Sequence, residues 1–172
     1  MKNGKMGRVL GLAGLLAVCG CGANYNWRSS APAEVRSVAV PTFRNESEVS
    51  EAGAVATRQL LREFQREGTF RIRPEGEAVL EIQGVIKSVT PATSAYDRRG
   101  GLQTSICDFT ALAEISVIDR RTRKVLIDNR SYRAQANGTV RQDRTTAMRD
   151  ASGRLMDDLA RQVVDDVLNL KW

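Results

Sequence analysis

The sequence predicts an α+β domain: a two-layer sandwich in which two helices pack on one face of a four-stranded mixed sheet. Three patterns carry that expectation. Apolar and polar residues alternate along two stretches, 78–89 and 102–118. A tight basic turn at 119–124 joins the second stretch to a third, 125–136. From about 145 to 170, apolar residues recur every three or four positions. Period-2 alternation means a sheet with one buried face, and helical recurrence means an amphipathic helix. Each can bury its apolar side only against the other.

The first element is a leader. Lys2, Lys5 and Arg8 precede the apolar or small run from Val9 to Val18, which ends in Val18-Cys19-Gly20-Cys21. Basic residues, a short apolar run and small residues at a cut site mark a secretory signal peptide, here residues 1–20. The run is about half the roughly 20 residues that span a bilayer. Small Gly20 precedes Cys21, while bulky Val18 precedes Cys19, so Cys21 is the expected lipid acceptor. Gly22 stands where an Asp commonly signals inner-membrane retention, so an outer-membrane, periplasm-facing anchor is expected. Residues 21–34 then form a lipidated tether and 35–172 a single domain.

The leader holds three of the 26 Lys and Arg and none of the 20 Asp and Glu. The remaining 23 cations against 20 anions leave a formal charge of +3, down from +6. That balance leaves no sustained cationic face, so nucleic acid is not an expected partner. With Cys21 acylated and Cys19 removed, Cys107 is the only thiol left, which excludes an intramolecular disulfide framework.

Within the domain, Val35 to Val40 reads as a buried strand ended by Pro41, and 45–50 as a turn. A helix follows over about 50–67, with Ala52, Val55, Ala56, Leu60 and Phe64 on one side and Gly68 as its C-cap. Residues 70–73 form a short strand stopped by Pro74. In the first alternating stretch Ala78, Leu80, Ile82, Gly84 and Ile86 share a face, opposite Glu81, Gln83 and Lys87. Pro91 to Gly101 reads as a connection carrying Arg98 and Arg99. In the second stretch Cys107, Phe109, Ala111, Ala113, Ile115 and Val117 face inward, and its partner strand closes at Asn137-Gly138. The last helix sets Ala147, Ala151, Leu155, Leu159, Val163 and Val167 on its apolar side.

Catalytic patterns are scarce. The chain has no histidine, which excludes Ser–His–Asp and Cys–His nucleophiles and His-bound metals. It has no phosphate-binding Gly-rich loop, and no cofactor is expected. Cys107 lies on an apolar face, where burial suppresses the thiolate. Asp157-Asp158 and Asp165-Asp166 fall on the polar side of the last helix, where Arg154 and Arg161 offset them. What remains are two basic clusters: Arg98 and Arg99, and Arg120, Arg121, Arg123 and Lys124. Guanidinium groups grip phosphate in bidentate fashion, so these six are the candidate phosphate contacts. The competing reading is that they only keep turns soluble.

Several segments, taken in order, match one family. They are Cys21-Gly22 followed by Tyr25 and Trp27; Ser37-Val38-Ala39-Val40-Pro41-Thr42-Phe43-Arg44-Asn45-Glu46-Ser47; Glu63-Phe64-Gln65-Arg66-Glu67-Gly68-Thr69-Phe70; Ala78-Val79-Leu80-Glu81-Ile82-Gln83-Gly84-Val85-Ile86; the turn from Asp119 to Leu126; and the long helix ending in Trp172. In this the chain resembles the lipopolysaccharide-assembly lipoproteins of the LptE family. It departs from them at Val79, where an acidic residue is frequent, and at Arg123, where glycine is usual. The resemblance implies a non-catalytic lipoprotein that plugs the outer-membrane β-barrel LptD and contacts lipopolysaccharide during its delivery to the outer leaflet. Lipoprotein activators of peptidoglycan synthases, the LpoB-like group, share the V-P-x-F-x-N strand and are the alternative. Their tethers are usually longer than the dozen or so residues between Cys21 and the first strand here.

Overall fold

The structure, a computed structural model, describes residues 31–96, 105–140 and 144–172. A short 3-10 turn, Ala33–Val35, leads into β1 (Ser37–Ala39) and β2 (Arg44–Asn45). Helix α1 (Ala52–Glu67) and β3 (Arg71–Ile72) follow. Three long strands come next, β4 (Leu80–Tyr96), β5 (Ser105–Asp119) and β6 (Lys124–Val140), and then α2 (Arg144–Leu168). All six strands join one mixed sheet in the order β3-β1-β4-β5-β6, with β2 also paired to β4. β1 and β2 run parallel to β4, whereas β4, β5 and β6 are antiparallel.

The expected α+β class and its two helices are present, but the sheet has six strands rather than four. β1 and β2 are two pieces of one interrupted strand along β4: Ala39 pairs with Glu81, and Arg44 with Val85. Between them lies Pro41, which has no N–H to give the ladder, so pairing lapses and resumes one residue out of step. β3 adds two residues outside β1.

Three boundaries also move. Val35 belongs to the 3-10 turn, its N–H bonded to Pro32 O at 3.0 Å, so β1 starts later. β4 does not stop at Pro91: the register shifts between Pro91 and Thr93, a bulge that accommodates proline inside a strand. β6 runs through Asn137-Gly138 because Gly138 serves close packing here; a Cβ there would lie 2.8 Å from the Phe109 ring.

The core lies on one face of the sheet. Leu80, Ile82 and Ile86 of β4 and Phe109, Ala113, Ile115 and Val117 of β5 are each at most 1% exposed. Ala56 and Leu60 of α1 and Met156, Leu159 and Val163 of α2 meet above Ile86, Ala113 and Ile115, so both helices cover the same face. Phe64 packs edge-on against Phe70 at 5.7 Å, and Phe70 meets Trp172 at 6.4 Å, closing one end. Cys107 is 2% exposed within this core. Gly68, at φ 80°, ends α1 with its N–H on Phe64 O.

The segment 38–47 is built into this core. Phe43 donates its N–H to Thr57 Oγ1 at 2.9 Å and is 6% exposed. Asn45 holds the turn after it: Nδ2 donates to Val49 O, and Oδ1 accepts from the N–H and hydroxyl of Ser47. Of the acidic doublets, Asp157 pairs with Arg161 at 3.0 Å, as a solvated helix face would. Asp166 instead ties α2 to β6: Oδ2 accepts from Tyr132 Oη at 2.8 Å and lies 2.9 Å from Arg130 Nη1. Burial and that neighbouring carboxylate push the Tyr132 phenol well up.

Candidate functional site

The β5–β6 turn is organised by Asp119, which is 7% exposed and pairs with Lys124 across the hairpin mouth. Its Oδ1 accepts the backbone N–H groups of Arg121 at 2.9 Å and Thr122 at 3.1 Å. Burial by itself would raise the carboxyl's pKa. The hydrogen bonds from the Thr122 backbone and hydroxyl, then the Arg121 N–H and charge, outweigh it and hold the pKa below its ordinary value. The stability this confers is complete above the unfolded value, about 3.9, and is lost as pH falls through the lower native one. Asp119→Ala should therefore cost about 1–3 kcal/mol at neutral pH, by orphaning two N–H groups. The penalty should shrink in acid, and thermal melts across pH 2–7 check both statements.

Arg123 sits at φ 57°, in the left-handed region. There a side chain costs about 1 kcal/mol relative to glycine, partly offset by glycine's greater freedom when unfolded. Arg123→Gly should therefore stabilise the chain slightly, by about 0.5 kcal/mol. A lowered melting temperature would contradict this account of the turn.

The turn's four cations divide into two pairs. Arg120 Nη1 reaches the nearly buried Glu81 Oε2 at 2.9 Å, and its backbone N–H bonds Val79 O. Arg121 Nη1 lies 3.3 Å from Glu34 Oε2. Among the described residues, Arg123 and Lys124 have no carboxylate partner. Both acids lie far off in sequence, and only the solitary Glu81 within an alternating strand hinted at a structural task.

Arg98, Arg99 and Cys21 lie outside the described residues. The strand ends that flank the first two, Tyr96 and Ser105, are paired at the opposite end of the sheet from Asp119. Sixteen residues of strand separate Leu80 from Tyr96, about 50 Å at the usual rise. The structure therefore sets the 120–124 cluster far from those strand ends.

The open face of the sheet holds a groove of about 480 Å³, lined by Thr42, Arg44, Glu81, Gln83, Glu114 and Asn129 among others. Its charged side chains pair with neighbours that do not line it, Arg44 with Glu46 and Glu81 with Arg120. Lys87 Nζ bridges Glu46 at 2.5 Å and Glu114 at 4.0 Å, and Glu81 also accepts from Gln83. Among the described residues no group of three His, Cys, Asp or Glu side chains converges as a metal site would require. No described helix is long and apolar enough to cross a membrane.

Comparison with known proteins bears on this geometry. The family model described as "LptE: Lipopolysaccharide-assembly" matches residues 35–167, well over half of the chain. No curated protein matches. Solved structures with a similar outline include a minor lipoprotein of Acinetobacter baumannii, 13% identical, covering 78% of this chain and 94% of that one at a TM-score of 0.45. A PelC dodecamer of Paraburkholderia phytofirmans is 18% identical over 77% and 94%, at 0.42. A lipoprotein of Neisseria meningitidis is 14% identical over 77% and 98%, at 0.44.

Proposed function

The chain belongs to the LptE lipopolysaccharide-assembly family, and from that premise we propose that it is an outer-membrane lipoprotein subunit of the lipopolysaccharide translocon. In this reading Cys21 carries the acyl chains. The domain faces the periplasm, sits within and supports the barrel LptD, and assists delivery of lipopolysaccharide to the outer leaflet. It turns over no substrate and needs no cofactor.

The observation that carries the reading is the extent of the family match, which takes in β1 through nearly all of α2. The tether supports it. Nine residues, 22–30, lie between the proposed anchor and the first described one, a reach of at most about 35 Å, which suits a partner in the same membrane. The V-P-x-F-x-N segment, by contrast, does not discriminate between partners, because Phe43 and Asn45 are spent on packing and on a turn.

The test is affinity capture of the tagged full-length chain from detergent-solubilised membranes, with bound proteins identified by mass spectrometry. A large outer-membrane barrel in near-equal amount is the expected result, and Cys21→Ser should lower its yield by releasing the chain from the membrane. Recovery of a peptidoglycan synthase without a barrel would overturn the proposal in favour of the LpoB-like reading.

A further inference from the structure

β6 is the last strand of the sheet, so no described strand lies beyond it. The opposite edge ends in β3, two residues long, whereas β6 runs for 17. A strand of that length presents an outward row of backbone N–H and C=O groups on which another chain can pair. Register fixes which groups these are. From Arg130 to Val140 the pairing with β5 runs without a slip, and successive residues turn their backbone groups alternately toward and away from that neighbour. Gln162 Nε2 donates to Arg133 O at 3.0 Å, and Arg154 Nη2 donates to Asn137 O. The outward set is therefore the odd-numbered one, from Ser131 to Thr139.

Both donors come from one side of α2. Arg154, Asp158, Gln162 and Asp166 recur every four residues and so form a row along the helix. Asp158 Oδ2 accepts from the same Gln162 amide nitrogen at 3.1 Å, which holds the amide over the edge. Asp166 fastens the far end of the row to Tyr132 and Arg130. Holding α2 to the sheet does not require Arg154 or Gln162, because the buried stripe from Ala147 to Val167 already does so. What the two side chains do instead is occupy carbonyls that a further strand would need.

The edge matches itself. Two copies of β6 paired antiparallel about a twofold axis at Gln135 would set Ala134 opposite Ala136 and Arg133 opposite Asn137, with no like charges facing between 131 and 139. In that ladder Arg133 O and Asn137 O would accept the N–H groups of Asn137 and Arg133 in the second copy. These are the two carbonyls that α2 occupies, so each copy blocks two of the ladder's bonds. We infer that Arg154 and Gln162 guard a self-pairing edge, and that β6 stripped of them takes a second copy of this chain as its next strand. Guarded, the domain stays single whichever partner it serves.

The test compares the full-length chain with the double variant Arg154→Ala/Gln162→Ala, both purified from membranes in detergent and weighed by native mass spectrometry over a concentration series. Alanine is the best helix former, so α2 keeps its propensity. Each unblocked bond counts about fivefold in an equilibrium, so freeing two in each copy should strengthen self-association at least about a hundredfold. The wild-type chain is expected as a monomer at concentrations where the variant doubles its mass. Hydrogen exchange locates the contact: in the variant dimer the fast-exchanging amides within 131–139 should slow at least about tenfold. Arg154→Lys/Gln162→Lys keeps a long donor at both positions and should restore the monomer. Should the alanine pair melt early, Arg154→Met/Gln162→Met retains the side-chain bulk without the donors and must associate in the same way. Folded variants that stay monomeric overturn the guard. A wild-type dimer with the same amides protected overturns it too, as does a variant dimer whose 131–139 amides exchange as fast as in the monomer.

Discussion

Gly84→Ala should lower the stability of the domain by about 2–3 kcal/mol, although the substitution adds a single methyl group to a strand. A Cβ at position 84 would sit 2.5 Å from Cε2 and 2.6 Å from Cζ of Phe43. The obstacle is a buried ring, 6% exposed, packed in the same core as Ala56, Leu60 and Ile86. Strand propensity alone would favour the alanine, so the sign of the effect reports the contact. In a domain of this size the loss amounts to roughly 4–12 °C in melting temperature. Phe43→Ala should itself cost about 3–5 kcal/mol, as the truncation of a buried ring. Combined, the two should cost less than their sum, because the space the ring vacates accepts the new methyl. Strictly additive losses in chemical denaturation would show that Phe43 and Gly84 do not restrain each other.

This contact also shows where the sequence was legible and where it was not. Positions that recur with a fixed period could be read directly. Ala147, Ala151, Leu155, Leu159, Val163 and Val167 are all buried, as are the inward residues of β5 from Cys107 to Val117. Such patterns are local, since a face is set by a residue's own neighbours in the chain. Features that depend on partners distant in sequence left no periodic trace. β2 is two residues long, too short to alternate, whereas β3 falls within the stretch 70–73 that reads as a strand. β6 changes phase at Asn129, which takes φ 40° where the β5–β6 register slips, so its inward side passes from Ile127 to Tyr132. A single-strand reading has no means to place such a bulge. The basic turn was visible as charge, but its division into paired and unpaired cations depended on Glu34 and Glu81, which only the fold brings near. The segment 38–47 was recognised as a family signature, yet what Phe43 and Asn45 do there is structural. What the segment supplies is packing, so the choice of partner is not read from it.

Two glycine-to-alanine substitutions, one in each helix, should move stability in opposite directions. Helix propensity treats them alike: alanine in place of an interior glycine contributes about 1 kcal/mol. Gly153 in α2 obeys that rule, since a Cβ there meets nothing within 4 Å, and Gly153→Ala should raise the melting temperature by roughly 2–4 °C. Gly53 lies in the first turn of α1, where a Cβ would come 2.4 Å from the carbonyl oxygen of Phe43. That oxygen belongs to backbone that Thr57 also grips, for its hydroxyl accepts the Phe43 N–H while donating to Gly53 O. Neither side can yield by turning a rotamer, so α1 must retreat from the segment that joins it to the sheet. Overpacking of this kind costs about 3 kcal/mol or more, which outweighs the propensity gain and leaves Gly53→Ala destabilising by about 2 kcal/mol. Urea denaturation of the two variants side by side decides the matter. Equal stabilisation of both would mean that propensity governs α1 and that its close approach to Phe43 is not a constraint. Opposite signs would establish that the start of α1 is held by the Phe43 backbone.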